Sequence, residues 1–345
     1  MALSFVQRRI KPMKVFMIGE AANHKDKLAA FLTTPCDIIP LPREAAHSSQ
    51  FDSTITADDV VVSLRFSRSG GSAPEFRLLH VPGAGLDGID MASLPSGASI
   101  CNVFEHEIPI AEFVMAAMLN WEIRPDTLRS SFATDTWSDV YRARVPHGEI
   151  HGRTLGLIGF GRIGRTIARR AVGFGMRIFA VDQFATDTDG LAEAILPPER
   201  LPDLLAQSDF LVIACPLTDQ TRGLIGIAEL AAMKPTGVLI NISRAPIVDE
   251  EALYDVLLRR TIGGAVLDVW YGYPAGADDR VAPARFRFED LPNAVCTPHS
   301  SAWTSRLPER RYAFIAQNID RLAAGEPLLN LVRAPALAIQ NTSIP

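Results

Sequence analysis

The segment that most constrains the fold is a ten-residue stretch at positions 155–164, which reads LGLIGFGRIG. Its apolar start predicts a buried strand, and Gly159, Gly161 and Gly164 follow directly with GxGxxG spacing. The first glycine permits a tight turn, the second lets a phosphate approach the backbone, and the third lets a helix pack against the strand. A helix that begins there offers free N–H groups to a pyrophosphate. The segment therefore predicts a dinucleotide-binding fold.

Short apolar runs alternate with helical segments in two series along the chain, which is typical of parallel, doubly wound sheets. The first series predicts strands at 14–18, 37–41, 60–64, 78–81 and 100–103, with a helix at 26–32. The second predicts strands at 155–158, 177–181, 210–215, 237–241, 264–268 and 294–296, with helices at 162–172, 202–206, 228–233 and 250–259. Six strands in this alternation match a complete Rossmann domain.

Two longer amphipathic segments, 108–121 and 308–324, lie between and after these series. The second leaves no room for a third domain, so we expect it to return to the first. The sequence thus predicts an α/β protein in which a Rossmann dinucleotide-binding domain, residues 105–302, is inserted into a smaller flavodoxin-like substrate domain, residues 1–104 and 303–345.

Composition narrows the class of partner. The formal net charge of −5 argues against nucleic acid or an anionic membrane as the main partner. A small anionic substrate would be attracted by local positive charge instead. The four cysteines have neither metal-site nor CxxC spacing, so we expect reduced thiols, no metal and a cytoplasmic protein. Neither a signal peptide nor an apolar run of about 20 residues for a membrane span is predicted.

Asp182 ends the second predicted strand of the inserted domain, 18 residues after Gly164. This is near the spacing of about 20 residues at which such folds place the acid that binds the ribose hydroxyls. A carboxylate there would repel a 2′-phosphate, so NAD is expected in preference to NADP. Arg162 is a candidate phosphate contact. The alternative for Asp182 is a turn residue at the end of a strand.

Three further segments follow predicted strands of the same domain, at 241–253, 264–274 and 297–303. Open α/β sheets bind their ligands at the carboxyl ends of strands. These segments supply one arginine, Arg244, one aspartate, Asp268, and one histidine, His299. A guanidinium and an imidazole are the groups that would polarise a carbonyl and exchange a proton beside a hydride donor.

With these segments in place, the chain resembles the D-isomer-specific 2-hydroxyacid dehydrogenase family over nearly its whole length. The segments that carry the resemblance are VPGAGLDGID, IPIAEFVMAAML, GFGRIG, CPLTDQTRGLIG, NISRAPIVDEEAL, DVW and TPH, in the family's order and spacing. The resemblance implies hydride transfer between NAD(H) and a small 2-hydroxy or 2-oxo acid. It also implies a homodimer, with Trp137, Tyr141 and Arg142 in or beside the contact.

Carried over by position, the resemblance implies that Arg244 grips the substrate carboxylate and polarises the 2-oxo group. It makes His299 the acid–base group and Asp268 the holder of the nicotinamide carboxamide. The backbone of Gly83, Ala84 and Gly85 would donate to the substrate carboxylate. The remaining residues implied at the cofactor are Ile163, Cys215, Pro216, Leu217, Asn241, Ser243 and Ser301.

The sequence departs from the family at the partner of the histidine. The family usually has a glutamate five residues after the aspartate, where it raises the pKa of the histidine. This chain has Tyr273, which can orient His299 but carries no charge near neutral pH. The family's formate dehydrogenase branch also lacks this acid, and the sequence around Trp270 and Pro274 is similar to that of the branch. Loop acids that could substitute are Asp278, Asp279 and Glu289.

Three other positions are less typical. Ala245 stands where a glycine usually follows the arginine, which implies a small backbone adjustment. His106 precedes the segment at 108–121, near where the formate branch has a substrate-binding asparagine. It is a candidate substrate residue, the alternative being a hydrogen bond between domains. Arg65 follows a predicted strand and is either a second anion contact or a solvated surface arginine.

Three functions therefore compete. The leading hypothesis is an NAD-dependent 2-hydroxyacid dehydrogenase that depends on Arg244, His299 and Asp182. The second keeps the cofactor but oxidises formate or a related small oxyanion, for which no proton on oxygen need be moved. The third is a non-catalytic protein that senses NAD(H) and binds other proteins. The loss of the glutamate would fit an enzyme that has lost its activity.

Overall fold

The structure, a computed structural model, describes residues 12–274 and 278–335. The chain divides into two compact units, one of residues 1–105 and 305–345 and one of residues 106–304. The outer ends of the predicted substrate domain, residues 1–11 and 336–345, lie outside the described residues.

Unit 1 is built on a sheet of six strands with the order β13-β5-β4-β3-β1-β2. Strands β1 to β5 are parallel and follow the flavodoxin-like order 2-1-3-4-5, while β13 is antiparallel to β5. Its elements are β1 (Met13–Ile18), α1 (Lys25–Phe31), β2 (Cys36–Leu41), β3 (Val60–Val62), β4 (Leu78–Val81), β5 (Ser99–Asn102), α9 (Leu307–Ala324) and β13 (Leu331–Arg333).

Unit 2 contains a parallel sheet of seven strands with the order β12-β11-β10-β9-β6-β7-β8. The order reverses between β6 and β9, as in a Rossmann fold, and ligands bind such sheets at that switch point. Its helices are α2 (Glu107–Ile123), α3 (Pro125–Ser131), α4 (Trp137–Ala143), α5 (Arg162–Val172), α6 (Leu201–Gln207), α7 (Ile227–Ala232) and α8 (Glu250–Leu258). Its strands are β6 (Thr154–Ile158), β7 (Arg177–Val181), β8 (Ala194–Leu196), β9 (Phe210–Ile213), β10 (Val238–Asn241), β11 (Gly264–Leu267) and β12 (Ala294–Cys296).

Each unit has a core on both faces of its sheet, which explains why its central strands are almost wholly apolar. In unit 2 one face packs Leu211 and Leu239 against α6, α7 and α8. The other packs Leu157 and Val212 against α2 and α5. The two alternating faces of the central strands are therefore both buried, and the fold class expected from the sequence is confirmed.

The predicted elements match with small shifts at their ends, and two predicted ends are wrong. Strand β3 stops at Val62 and β9 at Ile213, so Leu64 and Cys215 lie beyond the sheet. Strand β9 stops where its neighbours β6 and β10 also stop pairing, at Ile158 and Asn241. Strands β1 and β4 each pair for one residue beyond the partner of Val62, so β3 is simply the shorter strand. Four described elements were not predicted, namely the short strands β8 and β13 and the exposed helices α3 and α4.

The unit boundaries lie one and two residues beyond the predicted ones. Glu105 stays with unit 1 because Arg310 of α9 donates to its carbonyl oxygen at 3.3 Å and pairs with its carboxylate at 3.4 Å. Trp303 and Thr304 continue the turn after β12, since their N–H groups donate to the carbonyls of Ser300 and Ala302.

Candidate active site

The glycine turn joins β6 to α5 at the switch point of the unit 2 sheet. A Cβ on Gly159 would lie 2.7 Å from the backbone nitrogen of Cys215, and one on Gly164 would lie 2.3 Å from the carbonyl oxygen of Gly159. Both positions therefore require glycine. A Cβ on Gly161 would meet no atom within 4 Å. The space in front of Gly161 is open, which is where a phosphate would approach the first turn of α5.

A cleft of about 390 Å³ lies beside this turn within unit 2. Its lining is mostly apolar and includes Ile158, Val181, Leu201 and Pro216. Apolar walls with a few convergent polar groups are typical of a cofactor site. The cleft suits the adenosine half of a dinucleotide.

Asp182 lies at the rim of this cleft, directly after β7. Its carboxylate accepts three backbone N–H groups, from Phe160 at 2.7 Å and from Phe184 and Ala185 at 2.8 Å each. Burial raises the pKa of Asp182, but these hydrogen bonds and the charge of Arg165 outweigh it and hold the pKa below its usual value. Asp182 is thus ionised and fastens the glycine turn to the end of β7.

Arg244 follows β10 in a turn shaped by the buried side chain of Asn241 and the partly buried side chain of Ser243. Asn241 donates from Nδ2 to the carbonyl of Arg244 at 3.1 Å and accepts from the N–H of Ser243 at 3.1 Å. The hydroxyl of Ser243 donates to the carbonyl of Cys215, which joins the ends of β9 and β10. Asn241 is buried while Arg244 is exposed, so the turn presents the guanidinium to solvent.

Asp268 organises the loop that carries the histidine. The side chain is fully buried at the end of β11. It accepts from the hydroxyl of Thr297 at 2.6 Å and from the backbone N–H groups of Ser300 at 2.8 Å and Ser301 at 2.9 Å. These three bonds fix the residues on both sides of His299.

His299 adopts a left-handed backbone conformation with φ of 56°, one of six described non-glycine residues with positive φ. Its Nδ1 lies 2.8 Å from the hydroxyl oxygen of Tyr273. The two residues that the sequence suggested as partners are therefore in contact. Burial is the main cause that lowers the pKa of His299, and the positive charge of Arg244 adds to it, while Asp268 opposes both.

Tyr273 is positioned by the aromatic segment that precedes it. The indole Nε1 of Trp270 donates to the carbonyl of Thr297 at 2.9 Å, and its backbone N–H donates to the Tyr273 hydroxyl at 3.0 Å. The hydroxyl of Tyr271 donates to the carbonyl of Val248 at 3.0 Å. A Cβ on Gly272 would lie 2.4 Å from the carbonyl of Ala282, so the chain can pass there only with glycine.

For the loop acids Asp278 and Asp279, substitution for the missing glutamate stays a prediction. The carboxylate that acts on His299 is that of Asp268. Glu289 pairs instead with Arg287 at 3.4 Å. The group in contact with Nδ1 of His299 is therefore a phenol.

The candidate substrate residues of unit 1 lie at the carboxyl ends of its strands. Gly83, Ala84 and Gly85 follow β4, and the carbonyl of Ala84 accepts from Nδ2 of Asn102 at 2.9 Å. Arg65 follows β3 and is exposed. His106 belongs to unit 2, where it directly precedes α2. Whether these residues bind substrate stays a prediction.

The structure adds residues that sequence reasoning missed. The rim of the adenosine cleft also includes Gln183, Phe184, Thr218 and Thr221, and the Phe184 ring is 85% exposed. Gln183 and Phe184 could have been found, because they directly follow Asp182. The threonines come from a loop after β9 whose approach to β7 depends on sheet order. Among the remaining predicted residues, Ile163 and Arg162 lie in the first turn of α5, and Pro216 and Leu217 follow Cys215 in the loop after β9.

Comparison with known proteins agrees with this arrangement. Residues 115–301 match the sequence model described as D-isomer specific 2-hydroxyacid dehydrogenase, NAD binding domain. The chain is 31% identical to a glyoxylate reductase of Korarchaeum cryptofilum over 78% of this chain and 80% of that protein. It is 33% identical to a glycerate dehydrogenase of Methylorubrum extorquens over 76% of this chain and 80% of that protein. It is 30% identical to a D-3-phosphoglycerate dehydrogenase of Methanocaldococcus jannaschii over 76% of this chain. The match spans 48% of that longer relative.

Among solved structures, a 2-hydroxyacid dehydrogenase of Ketogulonicigenium vulgare superposes with a TM-score of 0.71 at 25% identity, over 95% of this chain and all, 100%, of that one. The fold and the turn at Gly159 suit a dinucleotide, and the match to the NAD binding domain makes the protein an oxidoreductase that binds a nicotinamide dinucleotide. The chain belongs to the D-isomer specific 2-hydroxyacid dehydrogenase family, whose reaction is hydride transfer between that cofactor and a 2-hydroxy or 2-oxo acid. Within residues 12–274 and 278–335, no helix combines the length and apolarity needed to cross a bilayer.

Proposed function

We propose that this enzyme uses NAD(H) to interconvert a small 2-oxo acid and the corresponding D-2-hydroxy acid. The observation that carries the proposal is the grouping of Arg244, Asp268 and His299 at the carboxyl ends of three adjacent strands, β10, β11 and β12. Arg244 and His299 are close enough for the guanidinium charge to lower the pKa of the imidazole. An exposed cation beside an exposed imidazole suits an anionic carbonyl substrate.

The roles follow from the chemistry of each side chain. The nicotinamide, when bound, supplies or accepts the hydride. Arg244 binds the substrate carboxylate through two parallel N–H bonds and polarises the 2-oxo oxygen. His299 exchanges a proton with that oxygen. Asp268 holds the histidine loop, and the family resemblance adds a contact to the carboxamide. Backbone N–H groups of Gly83 to Gly85 would bind the same carboxylate, with Arg65 and His106 as further candidates.

The residues present fit the cofactor. The open space at Gly161 and the N–H groups of Arg162 and Ile163 at the start of α5 would hold the pyrophosphate. Pro216 and Leu217 would line its path, with Cys215, Asn241, Ser243 and Ser301 beside it. The ionised carboxylate of Asp182 opposes a 2′-phosphate and supports NAD over NADP.

Steady-state oxidation of NADH tests this function directly. We expect turnover with at least one of glyoxylate, hydroxypyruvate, pyruvate or a bulkier 2-oxo acid. We expect no reduction of NAD⁺ by formate. Enzyme that binds NADH but reduces none of these acids would contradict the proposal. Reduction of NAD⁺ by formate would support the formate-type alternative, and NADH-dependent capture of a partner without turnover would support a sensor.

The variant Asp182→Ala should relax the cofactor preference. Loss of the carboxylate removes the repulsion of a 2′-phosphate, so the ratio of kcat/KM with NADPH to that with NADH should rise by about tenfold or more, equivalent to about 1.4 kcal/mol. The backbone N–H groups of Phe160, Phe184 and Ala185 lose their acceptor, so thermal stability should also fall. An unchanged ratio in folded protein would contradict the assignment.

A matched pair of glycine variants tests the pyrophosphate site. Gly161→Val places its side chain in open space, so the protein should fold normally but bind NADH at least tenfold more weakly. Gly164→Val places atoms against the carbonyl of Gly159 and should lower the melting temperature. Normal NADH affinity in folded Gly161→Val would show that no phosphate approaches this turn.

We further propose a homodimer in the cytoplasm. An exposed aromatic cluster on and beside α3 and α4 supports self-association: the ring of Trp137 lies 5.8 Å from that of Phe132 and 5.3 Å from that of Tyr141. Arg142 pairs with Asp139 on the same surface. Sedimentation at micromolar concentration would give twice the monomer mass. The four thiols are free in the structure, which suits a reducing compartment.

A further inference from the structure

We propose that Tyr273 and His299 form a two-proton relay, in which a neutral imidazole gives its Nε2 proton to the substrate oxygen while Tyr273 gives its hydroxyl proton to Nδ1. The inference deepens the proposed function, on which its catalytic part rests. It makes Tyr273 the final proton donor for reduction. The family has an ionised carboxylate at this position, which can only accept a hydrogen bond.

The partners of the phenol support one direction for this hydrogen bond, from the Tyr273 hydroxyl to Nδ1 of His299. The backbone N–H of Trp270 can only donate, so its 3.0 Å contact uses an acceptor position of the Tyr273 oxygen. The remaining contact of that oxygen, 2.8 Å, is with Nδ1 of His299. If the hydroxyl donates to Nδ1, its proton is satisfied within the protein. Nδ1 is then the acceptor, and the neutral ring must carry its own proton on Nε2.

The charges around His299 favour this neutral form. The titratable or charged groups that face it are Tyr273 on the loop after β11, Asp268 at the end of β11 and Arg244 after β10. Burial and the guanidinium lower the pKa of His299 despite the carboxylate. Asp268 is also committed to Thr297, Ser300 and Ser301. The contact of Nδ1 is thus with the Tyr273 hydroxyl and not with the Asp268 carboxylate.

The relay balances protons and electrons. In reduction, the hydride from the dinucleotide adds to the carbonyl carbon, and the π pair moves to oxygen, which takes the Nε2 proton. The Nδ1 lone pair takes the hydroxyl proton of Tyr273 and leaves a phenolate. Donation from the Trp270 N–H and the charge of Arg244 favour that phenolate, although burial raises the pKa of Tyr273. Tyr273 is 47% exposed, so water can return the proton. Oxidation runs the same steps in reverse.

The relay predicts an unusual pH dependence. Reduction needs no imidazolium, so its kcat/KM should stay level from about pH 6 to 8, a range that spans the usual histidine pKa of about 6.5. The kcat/KM of a reaction that needs imidazolium would fall tenfold for each pH unit above the pKa of the histidine. Tyr273→Glu should restore that fall, because a carboxylate stabilises imidazolium and raises its pKa. The fall should then begin at a higher pH than the ordinary histidine pKa.

Nitrogen-15 NMR of histidine side chains tests the geometry without cofactor or substrate. At pH 7.5, we expect His299, assigned by its loss in His299→Asn, to be protonated on Nε2 and bare on Nδ1. Tyr273→Phe should convert it to a mixture of tautomers. Tyr271→Phe is the matched control, because it removes a hydroxyl of the same loop that donates to the carbonyl of Val248 and not to His299. This variant should leave the His299 signals unchanged. A proton on Nδ1 in the wild-type protein would overturn the proposal.

Kinetics test the relay itself. In mixtures of H₂O and D₂O, two protons in flight give a bowed dependence of the reduction rate on deuterium fraction, whereas Tyr273→Glu should give a straight line. Tyr273→Phe should lower kcat by about 10²-fold or more, the range of general acid–base help. A straight line for the wild type, or a wild-type rate that falls tenfold per pH unit through neutrality, would refute the relay. If no 2-oxo acid is reduced, the proposed function fails, while the NMR result still decides the hydrogen bond.

Discussion

Arg244→Ala is expected to lower kcat/KM for 2-oxo acid reduction by about 10³-fold or more while NADH affinity stays near normal. The guanidinium would supply both a charge-assisted pair to the substrate carboxylate and polarisation of the carbonyl, and loss of one such partner costs about 2–5 kcal/mol. The side chain is exposed, so its removal should cost little stability. Steady-state kinetics with NADH fluorescence titration separate the two effects.

Arg244→Lys is the matched control for charge. A lysine keeps the positive charge but cannot form the planar two-bond contact, so it should recover only part of the activity. Full activity in Arg244→Ala would remove the arginine from the site. Equal losses of activity and of NADH affinity would instead assign Arg244 to the cofactor alone.

His299→Ala is expected to lower the rate of the chemical step by about 10²- to 10⁴-fold, since the substrate oxygen loses its proton donor. Single-turnover oxidation of bound NADH measures this step apart from product release. His299→Asn is the better-controlled variant, because asparagine tolerates the left-handed backbone at φ of 56° and should keep the loop folded. A single-turnover rate within threefold of the wild type in either variant would exclude His299 as the acid–base residue.

Much of the fold could be predicted because buried parallel strands are nearly continuous apolar runs. The strand at Arg177–Val181 and the helix at Arg162–Val172 have the predicted ends. β8 and β13 were missed because each has three residues, and β13 pairs with β5 about 230 residues away along the chain. α3 and α4 were missed because each has only seven residues and buries none of them, so no core contact marks them in the sequence.

The candidate site was only partly readable for a different reason. Motif spacing predicted which residues stand at strand ends, and it also suggested that Tyr273 faces His299. It did not indicate that the Asp268 carboxylate bonds Thr297, Ser300 and Ser301, because those contacts require β11 and β12 to be neighbours. Nor did it indicate the bond from Trp270 to Tyr273, which depends on the path of the loop.

A crystal structure with NADH and oxamate, a non-reducible analogue of a 2-oxo acid, tests the central claim most directly. The account predicts the pyrophosphate over Gly161, the oxamate carboxylate on the Arg244 guanidinium, and Nε2 of His299 within about 3 Å of the carbonyl oxygen. A nicotinamide ring bound away from both side chains, or a pyrophosphate that does not contact the turn after β6, would contradict it.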